Sequence, residues 1–106
     1  MAVEFVTIRR WSLRDGADET KLVALVRNEI IPAYKRQPGC LHLDLLRVTA
    51  GGSYFAFTRW ESRAAFDAWA GPAGEEWRTA YRPALEKWLE MMAFNEDWDA
   101  DAIVTG

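Results

Sequence analysis

The stretch from Ser53 to Trp88 constrains the fold more than any other part of the chain. It begins with Tyr54-Phe55-Ala56-Phe57-Thr58-Arg59-Trp60, in which five of seven residues are aromatic or β-branched, and Ala50-Gly51-Gly52-Ser53 precede it. That composition behind a glycine pair predicts a β-strand. Glu61-Ser62-Arg63 turns the chain. Ser62 suits an N-cap, since its hydroxyl can accept from an otherwise unpaired amide one turn on. Beyond it Ala65, Phe66 and Trp69 share one helical face. Gly71-Pro72-Ala73-Gly74 interrupts that helix, and a second is predicted from Glu75 to about Met92, with Trp77, Tyr81, Leu85, Trp88 and Met92 on one stripe. Glu75 and Glu76 match the positive end of its dipole. Pro83 inside the run predicts a bend near Thr79 or a fresh start there.

The upstream half supplies partners for this unit. Val3 to Trp11 alternates, with Val6 and Ile8 on one side and Phe5, Thr7, Arg9 and Trp11 on the other, which predicts a strand. Asp15-Gly16-Ala17-Asp18 is a turn, and Asp18 or Thr20 caps a helix packed by Leu22, Leu25, Val26 and Ile30, with Glu29 the polar exception. Pro32 kinks its last turns and Gln37-Pro38-Gly39 ends them. Cys40 to Val48 reads as a strand with Leu41, Leu43 and Leu45 toward the core and His42 and Asp44 opposite, returning through the glycine turn as a hairpin. The tail is acidic from Asn95, then apolar at Ala102-Ile103-Val104, and is assigned a last edge strand.

The order is βαββα plus a terminal strand: an α+β, ferredoxin-like domain over 1–106, with a four-stranded antiparallel sheet and helices on one face. By parity, the face away from the helices is expected to carry Phe5, Thr7, Trp11, His42, Tyr54 and Trp60. So much aromatic surface calls for a cover, and a second copy, making a homodimer, is the economical one.

Composition narrows the function classes. With 106 residues, half of them apolar, one globular domain is expected. A net charge of -3, with Arg9, Arg10 and Arg14 followed at once by Asp15, Asp18 and Glu19, argues against nucleic acid as a partner. Cys40 is the single cysteine, which excludes an internal disulfide and a multi-cysteine metal site and suits a reducing cytoplasm. The opening Met-Ala-Val-Glu-Phe-Val has no signal-peptide pattern, and no apolar run reaches spanning length, so an unprocessed protein without a membrane partner is expected. Six tryptophans exceed what so small a core needs, which points to a pocket or a subunit interface.

The element order, Pro38-Gly39-Cys40-Leu41 entering the second strand, and Thr58-Arg59-Trp60-Glu61-Ser62 followed by Phe66 and Trp69 resemble the antibiotic biosynthesis monooxygenase family of dimeric α/β barrels. The resemblance covers nearly the whole chain. It implies two sheets packed face to face in a homodimer and a pocket for a small hydrophobic aromatic ligand in each subunit. The superfamily spans quinone-forming oxygenases that use neither metal nor cofactor, haem-degrading enzymes, signal-molecule isomerases and proteins without known activity. Against the haem-degrading branch, Trp69 sits at the place of the pocket tryptophan, Tyr81 at that of the axial histidine, and Arg9 or Arg10 at that of a strand-one asparagine. A proximal-histidine ligand set is therefore not matched, and no cofactor is expected.

Candidate site residues follow from chemistry. His42, the only histidine, is the candidate base, and its competing reading is an interface histidine bonded to Asp44 or a carbonyl. Tyr81 is the second catalytic candidate, against a packing role on the stripe with Trp77 and Leu85. Trp60, Trp69, Trp77 and Arg59 are candidate substrate contacts, the tryptophans competing with plain core roles. Cys40 reads as a small buried hydrophobe. Asp97, Asp99 and Asp101 read as a solvated tail, because no calcium-loop glycine and glutamate follow. The pocket is expected between the third strand's end, the helix of Trp69 and the stripe of Tyr81, entered where Gly71–Gly74 breaks the helical layer. Two functions compete: a cofactor-independent oxygenase acting on a phenolic or polyketide-like substrate, and a non-catalytic dimeric ligand-binding or stress-associated protein.

Overall fold

The computed structural model describes residues 3–49 and 51–106; Ala50, assigned to the hairpin turn, and the first two residues, read for a leader, lie outside them. Strand β1 (Glu4–Leu13) leads through Asp18 into helix α1 (Glu19–Leu25), where the Asp18 carboxylate accepts from Thr20 N at 2.8 Å. The helix runs on as a π-helical segment (Val26–Ile30) and then α2 (Ile31–Lys35). Pro32 near the start of α2 lacks an amide to donate, which suits a wider turn just before it. Strands β2 (Cys40–Arg47) and β3 (Ser53–Trp60) form the hairpin, and α3 (Arg63–Ala70) follows with Ser62 Oγ accepting from Ala65 N at 3.1 Å. After one 3-10 turn (Pro72–Gly74), α4 (Glu75–Met91) continues unbroken through Pro83, so no fresh start occurs at Thr79.

The antiparallel sheet has the order β2-β3-β1-β4, the ferredoxin-like arrangement expected. Strand β4 (Met92–Ala102) begins directly at the end of α4. The last strand expected in the tail from Asn95 is thus found at the sheet's edge: the acidic stretch itself pairs with β1, while Ile103 and Val104 lie beyond it and are 86% and 87% exposed. An edge strand needs only its backbone satisfied and tolerates carboxylates toward water.

The sheet faces also differ from the parity expectation. Phe5, Thr7, Trp11, Tyr54 and Trp60 are buried beneath the helices rather than turned away from them. Of the six residues assigned outward, His42 alone lies there, exposed on the side opposite the leucines. The outer face instead carries Val6, Ile8, Phe55, Phe57, Leu46 and Trp98, with Phe55 stacked on Phe57 at 6.0 Å and on Trp98 at 6.4 Å. Both faces of β3 are aromatic, so alternation alone did not say which points inward; cross-strand pairing of Ala56 with Leu45 and Thr58 with Leu43 does.

Gly39 gives the Pro38-Gly39-Cys40 entry its physical reason. Its φ is +88°, and a Cβ there would stand 2.6 Å from the Ala65 Cβ, while its carbonyl accepts from Glu61 N at 2.8 Å. The glycine lets α3 sit against the start of β2.

Candidate functional site

A row of small side chains leaves a void under the helices. Across the sheet, Phe5 pairs with Trp60 and Trp11 with Tyr54, but between these bulky rows stand Thr58 and Ala56, opposite Thr7 and Arg9. Leu43 and Leu45 of β2 continue the floor, and Val26 and Ile30 of the π segment, Tyr34 of α2, and Tyr81, Leu85 and Trp88 of α4 form the roof. The enclosed space is ≈ 70 Å³, room for about five waters. Leu85, one of its lining residues, is 38% exposed, so the α4 side is open to solvent.

The electrostatics are those of a cation among phenols. Arg10, Arg47, Arg59, Arg63 and Lys87 each meet a carboxylate, but among the described residues Arg9 makes no ion pair, although Asp97 faces it across β4. The walls hold no histidine, cysteine or carboxylate. Burial pushes the Tyr34 hydroxyl above its ordinary value, with the Arg9 guanidinium pulling the other way. Burial, then the neighbouring Tyr34, drives the Tyr81 hydroxyl strongly upward. Both phenols therefore keep their protons at neutral pH and act as hydrogen-bond groups rather than bases. Their rings meet edge to face at 5.4 Å, and Trp77 stacks on Tyr81 at 4.7 Å while donating its Nε1–H to Ala33 O at 2.8 Å.

These raised values set an alkaline limit on stability. The unfolded chain releases tyrosine protons near pH 10 and the folded chain holds them, so stability is full below about pH 10 and falls as pH rises beyond it. Tyr81→Phe is expected to flatten that fall. Urea midpoints at about pH 8 and about pH 10.5 measure it, and a wild-type midpoint no more pH-dependent than the variant's contradicts the assignment.

The residues singled out from sequence fall into three places. Tyr81 is in the cavity roof, with Trp77 behind it; Tyr81 also lines a groove between α2 and α4, so it forms the partition between inside and outside. Trp60, fully buried, and Trp69 lie in an aromatic cluster with Phe66, at 5.4 Å from each other, and neither lines the cavity. His42 and Arg59 sit together on the outer sheet face, where His42 Nε2 is 2.9 Å from Asp44 Oδ1 and Arg59 Nη1 is 2.9 Å from Glu4 Oε1. The expected entrance at Gly71–Gly74 is closed: Arg78 donates to the carbonyls of Trp69 and Gly71, and Gly71 N donates to Asp67 O at 2.9 Å. Those bonds satisfy the groups that a helix break otherwise leaves to solvent. Arg9, Trp11, Tyr34 and Thr58 were not singled out as site residues. The available signal was Arg9 itself, a charge alternating with Phe5, Thr7 and Trp11 on one strand face.

Comparison with known proteins places this geometry. The family model described as antibiotic biosynthesis monooxygenase matches residues 5–80. The chain belongs to the antibiotic biosynthesis monooxygenase family. Among solved structures of this fold, SnoaB, a cofactor-independent oxygenase from Streptomyces nogalater, is 23% identical with a TM-score of 0.65, covering 98% of this chain and 97% of that one. HapK from Hahella chejuensis is 19% identical with a TM-score of 0.75, over 96% and 95% of the two chains. The heme-degrading protein Rv3592 from Mycobacterium tuberculosis is 25% identical with a TM-score of 0.63, over 100% and 98%. No curated protein sequence matches significantly. In this family member no helix of the described residues is long and apolar enough to cross a membrane.

Proposed function

We propose that this protein is a cofactor-independent oxygenase that binds a phenolic aromatic substrate with its ionised oxygen against Arg9. The observation that carries the reading is a guanidinium that, among the described residues, meets no carboxylate, in a cavity whose other polar groups are the neutral phenols of Tyr34 and Tyr81 and the Thr58 hydroxyl. A guanidinium keeps its charge, and such a cation is best compensated by an anion brought by the ligand. Membership of a monooxygenase family supports the reaction class.

The walls offer no proton acceptor, so the substrate must bring its own acidity, and Arg9 strengthens it by favouring the anion. The phenolate oxygen takes a proton from a conjugated methylene of the substrate by way of water, and the carbanion so formed gives an electron to dioxygen. Recombination forms a C–O bond, the peroxide anion takes that proton back, and the hydroperoxide loses water to leave a ketone. One methylene and one O₂ become one carbonyl and one water. Neutral Tyr34 and Tyr81 bound the reacting edge and keep it dry, and Trp77 holds Tyr81 by stacking. Oxygen uptake with soluble hydroxyanthrones, yielding one ketone per O₂, tests the reaction.

Haem does not fit these residues. The one histidine is on the far side of the sheet, and Tyr81 holds its proton too firmly for an axial phenolate. A second reading, a dimeric module that binds such a phenol without oxidising it, is favoured by the missing base. Tight binding without oxygen uptake decides for it.

Dimerisation belongs to the same proposal. The outer face presents Val6, Ile8, Phe55 and Phe57 beside Leu46 at 49% and Trp98 at 44% exposure, and a second copy set face to face covers them. His42 then serves the interface with Asp44 and Arg59 at its rim. Sedimentation is expected to give twice the chain mass at micromolar concentration, with Phe57→Glu yielding folded monomers; a wild-type monomer overturns it.

A further inference from the structure

Behind Tyr81 lies a second hollow. Tyr81 lines both spaces, and on the other side of it a groove of ≈ 610 Å³ runs between α2 and α4, walled by Pro32, Ala33, Trp77, Ala80, Pro83 and Ala84. The π-helical segment is shared in the same way: Val26 and Ile30 face the cavity, while Asn28 and Glu29 line the groove. At its end Ile31 N donates to Val26 O, five residues back, and such wide turns recur at functional sites. The partition between the two spaces is therefore one side chain and one under-wound turn. Trp11, Tyr34 and Trp88, the other aromatic walls of the cavity, are buried, whereas Tyr81 is half-buried and has the open groove to turn into.

The cavity limits what can sit against Arg9. Room for about five waters is about 150 Å³ of liquid, the size at which an apolar cavity takes one benzene ring. A second ring has to leave it. On the Leu85 side that ring meets solvent, while on the Tyr81 side it meets small apolar side chains and Trp77. We propose that the groove between α2 and α4 is the outer half of the ligand site, joined to the cavity when Tyr81 turns aside, and that the ligand is a flat phenol of two or more fused rings. Its oxygen is at Arg9 and its far ring lies among Ala33, Ala80 and Trp77. This rests on the proposed binding of a phenol against Arg9 and adds where the rest of that molecule goes. Alanines and prolines put little bulk into the slot, so a flat ring is covered on both faces, and its burial is favourable in proportion to the apolar area covered.

The test reads binding alone, so turnover does not enter it. The probes are phenol and 2-naphthol, which differ by one fused ring. In calorimetric titration the wild type is expected to prefer 2-naphthol by at least about tenfold. Ala80→Trp adds bulk to the groove from an exposed position that does not line the cavity, and is expected to close most of that gap by weakening 2-naphthol about tenfold and phenol less. A tryptophan placed instead at exposed Val23 of α1, outside the groove, is expected to leave both probes within about twofold. In nitrogen-proton correlation spectra of the wild type, the Trp77 indole resonance is expected to shift further with 2-naphthol than with phenol, which keeps the proposal testable if Ala80→Trp does not fold. Equal weakening of both probes, no weakening of 2-naphthol, or an unmoved Trp77 resonance overturns the groove, and the phenol reading then stands if Arg9→Met still weakens 2-naphthol. Failure of both probes to bind up to millimolar concentration overturns the two together.

Discussion

Arg9→Met is expected to lower kcat/KM for oxygen uptake, and the affinity for an ionised phenol, by about a hundredfold without lowering the melting temperature. Methionine keeps the unbranched stem beside Ala56, its cross-strand neighbour, and deletes the charged head. Leaving a buried anion without its partner costs roughly 2–5 kcal/mol, and a hundredfold is about 2.7 kcal/mol of it. The free protein loses nothing comparable, because Arg9 has no carboxylate to abandon and its own desolvation cost disappears. Phenolate absorbance reports this directly: the wild type is expected to bind the ligand ionised at a pH where the variant binds it neutral or not at all. An ionised ligand of unchanged affinity in Arg9→Met would remove the cation from the mechanism.

Trp60→Ala is the complementary case, in which stability collapses while the chemistry is untouched in principle. Trp60 is fully buried between Phe66 at 5.7 Å and Trp69 at 5.4 Å, and pairs with Phe5 and Cys40 on the neighbouring strands. Emptying such a site costs about 3–5 kcal/mol, a large share of the 5–15 kcal/mol typical of a domain. For a chain of this size that is a fall of at least about 12 °C in melting temperature. Thermal denaturation at fixed protein concentration measures it, because subunit association adds to apparent stability. A fall below about 4 °C, the least expected from 1 kcal/mol, would mean that Trp60 is not the packing centre that its burial indicates.

Much of the fold was legible where local chemistry has one outcome. Ser62 as cap, the glycine pair between β2 and β3, and the leucines of β2 follow from requirements that few residues meet. The faces of β3 were not, because Tyr54 and Trp60 alternate with Phe55 and Phe57, and period two separates two faces without ranking them. Pairing partners rank them, and pairing is a property of three strands together. The site was half legible for a related reason. Tyr81 and Trp77 are where their stripe puts them, but His42 and Arg59 are divided from Tyr81 by the thickness of the sheet. The cavity owes its existence to Ala56 and Thr58, small residues whose importance lies in what they fail to fill. The expected opening at Gly71–Gly74 was argued from unpaired carbonyls, and Arg78, arriving from the next helix, pairs them.

The pairing of β1 with β4 slips between Arg10 and Trp11, and that slip fixes the permitted length of the chain's last strand. Asn95 is the extra residue, held by Ser12 Oγ donating to its Oδ1 at 2.9 Å. Phe94 and Trp98 are four apart, an even spacing that in an uninterrupted strand puts both on one side. Here Phe94 pairs with Trp11 and packs on it at 5.3 Å, whereas Trp98 pairs with Ile8 and stacks on Phe55 across the sheet. Asn95 thus works as a phase shifter, letting one strand pack on Trp11 at the helix-covered face with its first half and furnish the opposite face with its second. Loss of that single codon would put the strand back in phase and force a choice between the two surfaces. Deleting a residue between these two aromatics is therefore expected to cost more stability than substituting one there, which thermal denaturation of the two variants compares.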